Sequence, residues 1–325
     1  MKKIFAIACS LLFAAGMLAG CSPDNAGAAS GGAAGKDAPK IGLVQMMEHP
    51  SLDEIRAAIE ARLDEALGEG GYVYDYQNGQ GDASVIANIC QKFVADDVDV
   101  IVAIATQAAQ GAATAVQGTD IPVIFAAVTD PVEAGLMADT DHPDANVTGT
   151  SDYIPVDKIF DLAAELTPDA ASYGLLYNLS EPNSVSVIEQ AKAYLDAQGL
   201  AYTEGAVTAT GEVQTVTQSL LAECDAVFVP IDNTVASAMT IVADEAVKAG
   251  KPVYVAADSM VADGALASVG VNYTNLGAQT ADMALRALEG TPVAEMPVEI
   301  LRDNAVVVNE QTAEAIGVDV SAYAG

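Results

Sequence analysis

The sequence has no tryptophan, two histidines and four cysteines among its 325 residues. Two histidines leave few candidates for a histidine general base or an imidazole metal cluster. The cysteines show neither CxxC nor Cys/His spacing, which excludes a zinc ribbon and a disulfide-dense scaffold. Basic residues are scarce: Lys and Arg total 13 against 45 Asp and Glu, a formal net charge of −32. A surface of that sign repels phosphate backbones and anionic headgroups and argues against nucleic acid as a partner. GxSxG, HExxH, Walker A and strand-linked GxGxxG patterns are all missing, so no enzyme motif stands out. Aromatic residues are only 5%, so a stacking platform for a ligand has to come from Tyr or Phe. Tyr153, Tyr177 and Phe125 are the candidates, with core packing as the competing role.

What is present is a chain rich enough to fold. Hydrophobic residues make up 51% and charged residues 18%, which excludes global disorder. The length favours two lobes. Met1 to Cys21 reads as an export signal. Lys2 and Lys3 lead an apolar run from Ile4 to Leu18, too short for a comfortable transmembrane helix. Leu18-Ala19-Gly20-Cys21 resembles the lipobox of bacterial lipoproteins, in which the cysteine is lipidated. The expected organisation is a signal over 1–20, Cys21 as the lipidation site, and a flexible Ala/Gly/Ser-rich tether over 21–38. The mature protein is then extracytoplasmic and lipid-anchored. Cys90 and Cys224, one in each half of the chain, are expected to be buried free thiols.

From Lys40 onward, apolar runs of strand length alternate with helical patterns, the signature of an α/β fold with parallel sheets. Strands are expected at Lys40–Met47, Tyr72–Gln77, Val98–Ala105 and Pro122–Val128. A second series runs from about Val147–Thr150 through Tyr173–Tyr177, Ala201–Val207, Ala226–Ile231 and Pro252–Ala257. The two halves echo each other: Asp99-Val-Ile-Val-Ala-Ile-Ala-Thr106 is matched by Asp225-Ala-Val-Phe-Val-Pro-Ile-Asp232. Ligands of open parallel sheets bind beyond the carboxyl ends of the strands. Thr106, Thr129, Asp232 and Asp258 all fall there, as do Gln45 to His49, Asn178 to Ser184 and Ser151-Asp152, and His49 in the loop after the first strand is placed to line the cleft. Thr106 and Gln107 open a helix, whose free N–H groups favour an anion. Asp232 and Asp258 favour a cation. An amino-acid zwitterion fits this division, although each of these residues is also a good helix cap.

The chain resembles the extracytoplasmic solute-binding lipoproteins of ATP-binding-cassette importers, of the tryptophan- and tyrosine-binding type. The residues that carry the likeness include Ile41-Gly-Leu-Val-Gln45, Glu48-His49-Pro50, Ile104-Ala-Thr106, Ala127-Val-Thr-Asp-Pro-Val132, Glu181-Pro-Asn-Ser184 and Pro230-Ile-Asp-Asn-Thr234. The resemblance implies a type I periplasmic-binding-protein fold: two Rossmann-like lobes with parallel sheets, joined by a three-strand hinge and closing on the ligand. It puts lobe one at 39–147 and 264–292 and lobe two at 148–263 and 293–325. Leu266–Tyr273 would then return to lobe one, and Met296–Leu301 would end in lobe two. Carried over position by position, the pocket takes Gln45, Glu48, Thr106, Gln107, Thr129 and Asp130 from lobe one. Asn183, Ser184, Asp232, Asn233 and Asp258 come from lobe two.

The implied function is capture of an amino acid, aromatic by the resemblance, for a membrane permease and its ATPase by a monomeric binding protein. No cofactor, metal or catalytic residue is expected. Three other readings share the sequence features: a lipoprotein receptor for a membrane sensor, a binding protein for a nucleoside or sugar, and a hydrolase using Asp232 and Asp258 as paired carboxylates.

Overall fold

The computed structural model describes residues 38–323 except 144, 154 and 303. The expected signal, Cys21 and nearly all of the tether lie outside the described residues. No helix among the described residues is long and apolar enough to cross a membrane.

The first half of the chain runs β1 (Lys40–Gln45), α1 (Pro50–Leu67), β2 (Val73–Asn78), α2 (Ala83–Ala95), β3 (Val100–Ile104), α3 (Thr106–Ala115), β4 (Val123–Ala126) and β5 (Val147–Ser151). The second half runs α4 (Val156–Leu166), β6 (Ser172–Asn178), α5 (Pro182–Gln198), β7 (Ala201–Val207), α6 (Val213–Glu223), β8 (Ala226–Val229), α7 (Asn233–Ala236), α8 (Met239–Ala249), β9 (Val253–Val255), α9 (Asp258–Ala262) and β10 (Ala267–Val271). The tail adds α10 (Tyr273–Leu288), β11 (Glu299–Ile300), β12 (Asn304–Val308) and α11 (Glu310–Ile316). Two six-stranded sheets result, ordered β11-β5-β4-β3-β1-β2 and β12-β10-β9-β8-β6-β7. Every pairing is parallel except β10 with β12.

Central strands β3, β4 and β8 are buried along their whole length, as continuous Val/Ile/Ala/Phe runs require when helices cover both sheet faces. Helix starts follow local chemistry. Asp82 accepts from the N–H groups of Ser84 and Val85 to cap α2; Pro50 and Pro182 open α1 and α5, where no N–H is needed. Gly199 closes α5 at φ 70°, a left-handed position that suits glycine.

The chain crosses between the lobes three times: between β5 and α4, at Asn272 and between β11 and β12. Two expected strand placements need correction. Ala267–Val271 belongs to the second sheet, parallel to β9 and antiparallel to β12. Gly270 permits this, because a Cβ there would lie 2.8 Å from the Asp258 backbone nitrogen. Glu299–Ile300 belongs to the first sheet, parallel to Thr150–Ser151, and Glu299 is held to α10 by Gln279 and Arg286. The first crossing also comes later than expected, since β5 stays wholly in the first sheet. Cys90 and Cys224 are buried and free.

Candidate ligand-binding site

Strand ends of the first sheet form one wall of a pocket between the lobes. In sheet order these are the loop after β1 with His49 and the first turn of α1 with Ser51, then Thr106 after β3, Ala127 after β4 and Asp152 after β5. Two alanines at these ends hold unusual backbone: Ala105 at φ 77°, ψ 160° and Ala127 at φ 55°. Side chains rarely tolerate positive φ, and residues held there gather at ligand clamps. Ala105 is the residue before α3 and gives that helix no side-chain cap. The first-turn N–H groups of α3 and the buried Thr106 hydroxyl therefore favour a negative ligand group.

The facing wall comes from the second sheet. Glu181, fully buried, accepts from the backbone N–H and side chains of Asn233 and Thr234. Asp232 accepts from the N–H of Val235 at 2.8 Å and of Asn178 at 2.6 Å. Burial, reinforced by the neighbouring Glu181 charge, pushes the Asp232 carboxyl well above its usual range. Asn183 donates through Nδ2 to the Ile231 carbonyl at 2.7 Å, which leaves its Oδ1 buried without a partner.

Hydrogen bonds across the lobes close the pocket. His49 Nε2 lies 3.1 Å from Asn233 Oδ1, Ser51 Oγ lies 2.6 Å from Ser259 Oγ, and Gln107 Nε2 donates to the Ser180 carbonyl at 2.9 Å. Asn233 Nδ2 is spent on Glu181, so its Oδ1 is an acceptor and His49 Nε2 carries the proton. Desolvation by burial lowers the His49 pKa, outweighing the Asn233 hydrogen bond and the charges of Glu181 and Asp53. The ring is neutral, and its Nδ1 is a second buried acceptor without a partner. At the hinge end, fully buried Asp152 accepts from Thr129 Oγ1 at 2.9 Å and, at 3.4 Å, from the Tyr273 hydroxyl.

Of the residues expected at the site, Thr106, Asn183, Asp232 and Asn233 line this pocket. Ser184 sits directly behind it, with its hydroxyl 3.3 Å from the Ile231 carbonyl. Gln45 turns to the Met47 carbonyl and Asp53, Thr129 gives its hydroxyl to Asp152, and Asp130 caps the N–H groups of Val132 and Glu133. Gln107 spends its amide on the lobe bridge. Glu48 is exposed, and half-buried Asp258 accepts the N–H of Ser259 at 2.7 Å. The candidate aromatics also lie elsewhere: Phe125 is in the core, Tyr177 bonds to Glu204 and Tyr153 to Gln190. The polar pocket residues absent from the expected contact set are His49, Ser51, Asp152 and Tyr273, of which the sequence places His49 and Asp152 at strand ends beside the cleft without an assigned contact. Among the described residues, no group of three or more His, Cys, Asp or Glu is placed to hold a metal ion.

A larger open groove of about 950 Å³ lies outside the pocket, lined by Met46, Met47, Gln110, Thr114 and Thr208 among others. No charged side chain lines it, and the unpaired acceptors His49 and Asn183 are not among its lining, so the inner pocket is where ligand chemistry concentrates.

Comparison with known proteins agrees with this architecture. A tyrosine-binding protein of Clostridioides difficile is 37% identical over 97% of this chain and 92% of its own length. A Streptococcus pneumoniae ABC domain in complex with L-Trp shares 38% identity and a TM-score of 0.84, over 89% of this chain and 99% of that one. The ligand-free, open structure of a Clostridium difficile substrate-binding protein with adhesive properties shares 39% identity but a TM-score of 0.67, over 86% and 95% of the two chains. At nearly the same identity, this structure is nearer to the ligand-bound relative than to the open one, in keeping with its bridged lobes. Residues 40–323 match the family described as ABC transporter substrate binding protein. That is a family of solute-binding proteins and not of enzymes, and the paired-carboxylate hydrolase reading falls with it. The chain belongs to the ABC transporter substrate-binding protein family.

Proposed function

We propose that this protein captures a free aromatic amino acid between its lobes and delivers it to a membrane permease driven by an ATPase. The observation that carries the reading is the opposition of charge preferences in one pocket. The uncapped start of α3 welcomes a carboxylate. His49 Nδ1 and Asn183 Oδ1, two buried acceptors without partners, welcome an ammonium group beside Asp232. Leu52, Ile231 and Met260 supply apolar surface, with the small side chains of Ala127, Ala236 and Ala257 beside them; the pocket is nearly filled in this closed form, at about 10 Å³, so a ring enters only as the lobes part. Relatives described as binding tyrosine or holding L-Trp support the aromatic class. The protein works outside the cytoplasm as a monomer tethered through lipidated Cys21.

Calorimetric titration with free amino acids tests the capture step. Saturable binding of Trp or Tyr, with a dissociation constant of roughly micromolar, corresponds to about −8 kcal/mol. Flat titrations with all twenty amino acids would reject the ligand class. Because the protein contains no tryptophan, bound tryptophan is its own fluorescent reporter. The tether is tested by Cys21→Ser, which is expected to release the protein from the membrane fraction.

A further inference from the structure

The pocket has two polar ends, and on the amino-acid reading the ammonium and carboxylate need only one of them. The strand ends follow the sheet order β1, β3, β4, β5 in lobe one and β6, β8, β9, β10 in lobe two. His49, Asn183, Asp232 and Asn233 gather at the β1/β6/β8 end. Asp152 and Tyr273 gather at the β5/β10 end, with Ala257 and Met260 beside them. Three strand spacings separate β1 from β5, about 14 Å, and side chains projecting inward from both ends shorten the free span. A ligand held by its ammonium and carboxylate near His49 and Thr106 points its side chain toward Asp152.

Asp152 is an uncommon group to find there. It has no solvent exposure, and its hydrogen-bond partners are two hydroxyls, at 2.9 Å from Thr129 and a long 3.4 Å from Tyr273. No Lys or Arg pairs with it among the described residues. A carboxylate offers roughly four lone-pair sites, so two hydroxyl donors leave Asp152, which lines the pocket, with acceptor capacity to spare.

We propose that Asp152 is the specificity-determining residue of the pocket, accepting a hydrogen bond from an N–H or O–H at the far end of the ligand side chain. This rests on the amino-acid reading above. Tryptophan carries such a donor on its indole and tyrosine on its phenol; phenylalanine has none. A site with a buried acceptor rejects the analogue that leaves it unpaired. Tyr273 and Thr129 then act as positioning residues that fix the carboxylate.

The test is a titration of the wild-type protein and Asp152→Asn with Trp, Tyr and Phe. The wild type is expected to bind Trp or Tyr at least tenfold more tightly than Phe, since hydrogen bonds to charged groups are the strong ones. Asp152→Asn is expected to reduce that ratio to about threefold or less while Phe affinity changes little. A structural role for Asp152 would instead weaken all three ligands equally, and that result overturns the proposal, as does equal wild-type affinity for Phe. Either result leaves amino-acid capture standing. Failure of all three ligands to bind the wild type overturns both. Should Asp152→Asn not fold, Tyr273→Phe, which removes one hydroxyl from the carboxylate, is titrated in its place; an unchanged ratio there overturns the positioning arrangement and the proposal with it.

Discussion

His49 Nε2 and Asn233 Oδ1, 184 residues apart in sequence, meet at 3.1 Å and join the loop after β1 to the start of α7 across the interlobe pocket. The bond does two things. It helps hold the lobes together, and it fixes the tautomer that leaves Nδ1 as a buried acceptor without a partner on a pocket-lining residue.

Removing this acceptor should weaken capture. His49→Ala is expected to lower ligand affinity by roughly ten- to a hundredfold, the range for a hydrogen bond to a charged group. His49→Gln retains an acceptor and is expected to recover part of the loss. The pH dependence follows from the sign of the shift. The His49 pKa is lowered in the folded protein, so the folded state resists protonation that the unfolded chain accepts. Stability is then full above the ordinary histidine pKa near 6.5 and declines as pH falls below it, while affinity falls at lower pH, where the folded ring itself takes up the proton. Asp232, whose carboxyl is shifted upward, adds to the acid loss of ammonium binding. Titrations between pH 5 and 8 should show a shallower acid limb in His49→Gln than in the wild type.

Gln107 offers a separate test of closure. Its amide reaches the Ser180 carbonyl from a half-exposed position, so the bond is worth about 0.5–1 kcal/mol net. Gln107→Ala should shift the ligand-free protein toward the open form and weaken apparent affinity about two- to fivefold, as the competent fraction falls. Small-angle scattering of the ligand-free variant should give a larger radius of gyration, and saturating ligand should restore the wild-type value. An unchanged radius with unchanged affinity would remove Gln107 from the closing contacts.

The alternation of strand and helix was legible because buried parallel strands must be continuous apolar runs, and Val-Ile-Val-Ala-Ile at 100–104 has no other use. The pocket was legible only where a residue follows its own strand. Thr106 and Asn233 could be placed that way. What a hydrophobic run does not encode is the sheet it joins, and β10 and β11 both paired with the sheet opposite to the one expected. That slip hid Tyr273, whose position depends on β10 ending beside β5. Polar residues at strand ends are ambiguous for a related reason. Asp130 and Asp232 serve as caps within their own loops, and only Asp232 also faces the pocket. His49 carried one signal in sequence, its place directly after the first strand, but its partner came from the other lobe.

Ala105 should reveal strain stored one residue before the pocket-lining Thr106. Its φ of 77° with ψ of 160° is backbone that glycine adopts readily, and holding another residue there costs about 1–3 kcal/mol. Ala105→Gly relieves that cost but raises the entropy of the unfolded chain, which offsets about 0.5–1 kcal/mol. A net gain of about 1 kcal/mol is expected, seen as a rise of a few degrees in Tm. Ala105→Val should lower Tm instead. Equal melting of all three proteins would show that the site holds no such strain.

Asp152 should show a conflict between stability and recognition. Burial raises its carboxyl pKa to about 6 from an ordinary 3.8, against the opposing hydrogen bonds from Thr129 and Tyr273. The folded state therefore binds this proton more tightly than the unfolded chain does. Its contribution to stability is fully present below the unfolded pKa and disappears as pH rises through about 6. Above that, the buried charge costs the empty protein up to about 3 kcal/mol, at 1.36 kcal/mol per pH unit. Asp152→Asn keeps the shape and removes the charge. At pH 7.5 it should melt several degrees above the wild type, and at pH 4 the two should converge. The same substitution is expected to erase discrimination against phenylalanine, so one variant would be more stable and less selective. If Asp152→Asn melts lower than the wild type at pH 7.5, the carboxylate holds the hinge together, and its burial is a structural demand of the fold.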